Sequence, residues 1–275
     1  MNKLEKPLIR STFRIQLGKR FYTFGRHIKW YFYPNYFAKT FANQHLAYQV
    51  FSHHSILLRQ LNKVDMQLQY NKIDNLKIAI TKLNQLVIKP DETFSFWYLV
   101  GNTTQAKGYK KGMILQNGEV MSGYGGGLCQ LSNLLYWMVL HTPLTVVERH
   151  RHSYDVFPDV NRSIPFGCGA TISYNYIDFQ FKNETKQSFQ LLLWLSEKDL
   201  HGEICSDAHF QYKYEVIESN HLIKPEYWGT YSRHNQIIRR TYNKETNQLI
   251  NEEMVAENHA LLKYNPMLEA SNASS

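Results

Sequence analysis

The residues best placed to do chemistry lie in one short stretch, Gly123-Tyr124-Gly125-Gly126-Gly127-Leu128-Cys129-Gln130, which runs straight into an apolar helical pattern. Three successive glycines are costly in chain entropy, so the backbone there is expected to turn tightly or to approach a ligand closely. Cys129 then falls in the first turn of the helix, where free N–H groups and the helix dipole favour an anion. That position is expected to lower the thiol's pKa and make it a better nucleophile. The N–H groups of the Gly125, Gly126 and Gly127 loop, with the Gln130 amide, could hold a developing oxyanion. Cys168 and Cys205 have no such surroundings and read as packing residues.

A cysteine nucleophile needs a base, and the next strand-like run ends in Glu148-Arg149-His150-Arg151-His152-Ser153. In an extended chain, residues two apart share a face, so Glu148, His150 and His152 would point one way. Asp178 is a polar exception in the later aromatic run Tyr176-Ile177-Asp178-Phe179-Gln180 and could orient an imidazole. Cysteine at a helix start, histidine on a following strand and a polar residue on a later one is the order of papain-like acyl-transfer sites. Other readings stay open. Cys129 could be a small buried residue, and the histidines could brace a hairpin. Cys129, Glu148, His150 and His152 could instead hold zinc, although neither the H-x-H pair nor a lone cysteine has a structural-zinc spacing. The acyl-transfer reading needs no cofactor.

These groups must be positioned by a mixed set of elements. Leu131, Leu134, Leu135, Met138 and Val139 make the apolar stripe of the helix that Cys129 opens. An earlier helix is expected over 74–86, with Leu76, Ile80, Leu83 and Val87 on one side, ended by Lys89-Pro90-Asp91. Strands are expected over 93–96, 113–116, 145–149, 170–181 and 189–195, which are rich in aromatic and β-branched residues and bounded by turn formers. His53-His54 falls in a stretch that reads as helical. The fold class is therefore α+β: a helical N-terminal segment, then a mainly antiparallel sheet with a central helix starting at the Gly-Gly-Gly-Leu-Cys-Gln motif.

The chain has 275 residues, 43% of them hydrophobic and 20% charged, enough apolar mass for a real core. Its net charge of +8 is concentrated at one end. Residues 1–40 hold nine Lys or Arg and one acid, 9 − 1 = +8, and the remaining 22 bases and 22 acids cancel. A uniformly basic nucleic-acid binder is thereby excluded, and nucleic acid is not the expected partner. Ile9, Phe13, Leu17, Phe21, Phe24 and Ile28 recur at helical spacing in this basic segment. One expectation is that this aromatic face docks on the core with the charges in water. The other is that residues 1–40 lie peripherally on an anionic membrane. No run is long enough to span a bilayer, and charges interrupt every candidate signal sequence, so a cytoplasmic protein, peripheral to the inner membrane face, is expected. Three regions follow: 1–73, a basic-aromatic helical segment; 74–200, the motif-bearing domain; and 201–275, a β-rich extension with a frayed end.

Residues 74–195 resemble the VanW family. The resemblance rests on Pro90 to Phe96, Gly101, Gly108-Tyr109, and above all Gly125-Gly126-Gly127-Leu128-Cys129-Gln130-Leu131-Ser132 through Leu135-Tyr136. Glu148 to Ser153, Gly169-Ala170-Thr171, Asp178 and Asn183 complete it, with Gly169 standing where the family often has Asp. The resemblance implies a role in cell-wall metabolism or glycopeptide resistance. Secreted relatives with an added peptidoglycan-binding module imply L,D-transpeptidase chemistry on a peptide or peptidoglycan precursor. Carried across, the nucleophile is Cys129 and the base His150 or His152. Gln130 and Ser132 join the glycine loop as candidate substrate or oxyanion contacts.

Overall fold

The computed structural model describes residues 11–58, 65–116, 118–156 and 164–266. Lys3, Lys6 and Arg10 of the basic segment, and the polar C-terminal end, lie outside the described residues.

Helix α1 (Thr12–Phe32) begins where the Ser11 hydroxyl accepts the Arg14 N–H, and it ends at Tyr33, just before Pro34. Strands β1 (Thr40–Phe41) and β2 (Tyr48–Ile56) follow. His53 and His54 thus sit on a strand rather than a helix, because alternate residues of β2 face the core while the others face water. Helix α2 (Met66–Ile80) is capped by Asp65, whose carboxylate accepts the Gln67 N–H at 2.8 Å, so it starts eight residues before the expected helix. It buries Leu76, Ala79 and Ile80 together with polar Asn75.

Strands β3 (Leu86–Ile88) and β4 (Thr93–Ser95) lead into the short α3 (Phe96–Val100), and the hairpin β5 (Lys111–Gln116) and β6 (Glu119–Tyr124) ends at the glycine run. Helix α4 (Cys129–Leu140) buries its whole expected stripe and also Tyr136, Trp137 and Leu140, as a central helix should. Short strands β7 (Thr145–Glu148), β8 (Tyr154–Asp155) and β9 (Gln180–Lys182) follow. Strands β10 (Phe189–Leu195) and β11 (Asp199–Ser206) form the next hairpin, and long β12 (Tyr212–Pro225), β13 (Tyr231–Asn243) and β14 (Leu249–Leu262) close the chain.

The strands form sheets of order β1-β3-β10-β11-β2, β12-β13-β14-β8, β4-β9-β7 and β5-β6, antiparallel throughout apart from β14 with β8. The architecture is α+β with a mainly antiparallel sheet system and a central helix. β1 and β2, from the first 73 residues, belong to the same sheet as β11, which runs to Ser206. Helix α4 lies on β11 where Gly202 leaves room: a Cβ there would sit 2.7 Å from the Met138 side chain. A strand over 170–181 does not form. Ser173 and Ile177 instead exchange main-chain hydrogen bonds around a tight reversal, and pairing resumes only at β9.

Candidate functional site

The glycine turn is built by close backbone approach. Gly126 lies against Gly112 of β5, and a Cβ on Gly126 would stand 2.2 Å from the Gly112 carbonyl. Gly125 and Gly127 have φ of 74° and 92°, the left-handed region that glycine alone occupies freely. Buried Asn75 of α2 pins the turn, donating to Gly126 O at 2.9 Å and accepting the Lys110 N–H at 2.8 Å. No sequence pattern marked Asn75, since one polar residue in a helix reads as a solvated position. The expectation of a tight turn therefore has its reason in packing of the chain against itself. Even so, the N–H groups of Gly127 and Leu128 donate to no acceptor among the described residues.

Cys129 is the first residue of α4 and half-buried. Burial pushes its thiol up, and main-chain hydrogen bonds at Ile172 and at Cys129 itself offset only part of this. Here desolvation outweighs the helix terminus, so the lowered pKa expected from position alone is reversed. The Sγ lies 3.9 Å from Ile172 O. The preceding residue, Thr171, donates its N–H to His150 O at 2.7 Å. Consecutive residues of one segment thus touch the thiol and the histidine chain.

The remaining candidates are placed as follows. Gln130 Nε2 donates to Ser55 Oγ and Ile56 O, both at 2.9 Å, so its amide fastens α4 to β2 and is not turned to an oxyanion beside the thiol. Ser132 is fully buried and donates to Ala170 O at 2.6 Å. Asp178 is fully buried and accepts from Ser95 Oγ, Gln180 Nε2 and the N–H groups of Trp97 and Phe179. None of its hydrogen bonds runs to His150 or His152. Burial pushes its carboxyl up against the pull of these donors and of Arg26.

Glu148 is the carboxylate next to a histidine. Its Oε1 lies 3.6 Å from His150 Nε2, and both its oxygens are gripped by Arg26 of α1, at 2.7 and 2.8 Å. Arg26 also reaches Asp178 at 3.5 Å and donates from Nε to Asn175 O at 2.7 Å. Burial alone would push Glu148 up, but contact with His150 and the Arg26 guanidinium hold it at about 2. Arg26 was missed because its acidic partners lie 122 and 152 positions along the chain. Strand β7 ends at Glu148, and His152 lies in the irregular stretch before β8; it is half-buried, and burial lowers its pKa.

Arg149 points the other way, over the Tyr136 ring and onto Gly167 O and Gly169 O. A Cβ at Gly169 would sit 2.7 Å from Asn133 Oδ1, which accepts the Ala170 N–H at 2.8 Å. Among the described residues no group of three or more His, Cys, Asp or Glu side chains is placed to hold a metal ion, and of the zinc candidates Cys129, Glu148, His150 and His152, Glu148 has both oxygens engaged by Arg26. Two polar groups of the intervening segment, Thr171 Oγ1 and the Asn175 amide, are buried without a hydrogen-bond partner. A separate cleft of about 730 Å³, between Lys77 and Lys107, contains none of the candidate residues.

The geometry defines an α+β protein in which a helix-start cysteine and an arginine-held glutamate with its histidine converge on residues 171–178, the cysteine entered through a tight glycine turn. The family model for VanW like protein matches residues 71–205. The chain is 37% identical over 195 residues, 71% of its length and 71% of the relative's, to Vancomycin B-type resistance protein VanW of Enterococcus faecalis. It is also 37% identical over 116 residues to Uncharacterized protein YoaR of Bacillus subtilis, a match covering 41% of this chain and 36% of that one. The protein belongs to the VanW family. No solved structure matches it.

Proposed function

We propose that this protein acts in glycopeptide resistance through cell-wall metabolism, as a cysteine-dependent acyl transferase on a peptide or peptidoglycan precursor. The observation that carries the reading is that the Cys129 sulfur and the His150 main-chain carbonyl contact neighbouring residues of one segment, Ile172 and Thr171, beside two uncommitted N–H groups. In the step envisaged, His150 takes the Cys129 proton and the sulfur bonds to a substrate carbonyl carbon. The N–H groups of Gly127 and Leu128 receive the oxyanion, and the amide nitrogen leaves with the proton from the imidazolium. Glu148, held by Arg26, steadies the imidazole. The acyl group then passes from sulfur to an amine or to water. Substrate binding has to displace the contact between Cys129 and Ile172, which agrees with a thiol that rests protonated.

A non-catalytic role, binding a wall precursor or partner, is the second reading; the structural commitment of Gln130, Ser132 and Asp178 favours it. Intact-mass analysis after incubation with a wall-type stem peptide separates the two. Acyl transfer gives an adduct on Cys129, sensitive to hydroxylamine and absent from Cys129→Ala. If no adduct forms and folded Cys129→Ala keeps full glycopeptide resistance in cells, the nucleophile assignment is wrong and the binding reading stands.

A further inference from the structure

Helix α1 docks by an unexpected face. At 3.6 residues per turn, Ile15, Gly18, Lys19, Thr23, Arg26 and Trp30 fall on one side, and these are the partly buried ones: Arg26 holds Glu148, Lys19 lies over the Tyr176 ring, and Trp30 packs on the core. The apolar stripe read from the sequence is on the opposite side, in water. Phe13 is 75% exposed, Phe21 72% and Phe24 67%, with Leu17 and Ile28 beside them. Exposed Arg14 and Arg20 flank this stripe on either side. A continuous apolar face on a helix already fixed by its other side needs a second partner.

We infer that this outer face of α1 lies on an anionic lipid bilayer, with its rings at the headgroup boundary and its arginines on the lipid phosphates. The charge pattern selects this occupant: the first 40 residues carry the whole net charge of +8 and the rest is neutral. Rings and aliphatic side chains on one face with flanking bases match an interfacial helix, and no described helix is long and apolar enough to cross. Because Arg26 clamps the inner face to Glu148 and Asn175, the helix settles on the membrane with the Cys129 and His150 region beside it. This holds whether or not Cys129 reacts.

The test is co-sedimentation of the purified full chain with phosphatidylglycerol-containing vesicles and with phosphatidylcholine vesicles. Binding to the first, much weaker binding to the second, and loss at high salt are expected. Two double variants probe the face, Phe21→Ser with Phe24→Ser and Arg14→Glu with Arg20→Glu. Each should weaken binding at least about tenfold while circular dichroism and the unfolding midpoint stay at wild-type values, since all four side chains are exposed. Wild-type binding in both variants, or no binding to anionic vesicles at all, overturns the inference. So does a self-association that the aromatic variant abolishes while vesicle binding persists, which would make a second copy the occupant.

Discussion

At the scale of single residues, the glycine run shows how one feature can satisfy two demands. Gly126 is needed because two backbones touch, and the same touch holds the chain so that the Gly127 and Leu128 N–H groups stay uncommitted beside Cys129. Gly126→Ala forces a methyl into the Gly112 carbonyl and should cost at least about 2 kcal/mol, read as a lower urea midpoint. A cost below about 0.5 kcal/mol, the range of an ordinary surface change, would mean the turn can relax and that close approach is not what glycine provides. Cys129 makes the complementary point. Position at a helix start favours a thiolate, but enclosure of the sulfur wins, so the resting thiol is protonated.

At the scale of elements, α1 is fastened by one guanidinium. Arg26 satisfies both Glu148 oxygens and reaches Asp178, so removing it leaves two carboxylates short of their cation in a largely dry place. Arg26→Met should destabilise the fold by about 3 kcal/mol. Adding Glu148→Gln to that variant should recover part of the loss, and a double-mutant cycle in urea measures the coupling. Additive single effects would show that helix and site are held by packing alone. The same clamp explains why the stripe Phe13, Leu17, Phe21, Phe24 and Ile28 faces outward: an ion pair to the sheet face decided the rotation of the helix, against the hydrophobic period.

At the scale of the whole molecule, two groups make stability acid-sensitive in successive windows. His141 is stacked on Phe51 of β2 and held by burial at about 4, well under its usual 6.5, so the fold favours its neutral form. Stability is full above about 6.5 and falls as the pH drops towards 4. Glu148, depressed from 4.5 to about 2, adds stability that is present above 4.5 and lost as the pH falls through 2. Its share is about 3 kcal/mol, at roughly 1.4 kcal/mol per unit. Unfolding midpoints measured from pH 8 to 3 should therefore decline in two stages. His141→Phe should remove the first stage, Arg26→Met should shrink the second, and a flat profile would contradict both assignments.

Several things could be read from the sequence alone. Amphipathic spacing identified α4 and its buried stripe, strand-forming residue types between turn formers gave β10 over Phe189–Leu195, and glycine chemistry located the turn before Cys129. These rest on local physics, chain entropy and side-chain period, which neighbours along the chain set. The motifs also carried the family. What the tertiary structure alone decided is long-range: that Gln130 serves β2, that Asp178 binds Ser95 and Trp97 rather than an imidazole, and that α1 turns its apolar face to solvent. It also fastened Glu148 to Arg26 of α1. Each of these was settled by a polar side chain finding its partner 75 to 122 positions away, a pairing with no local period for a sequence to display.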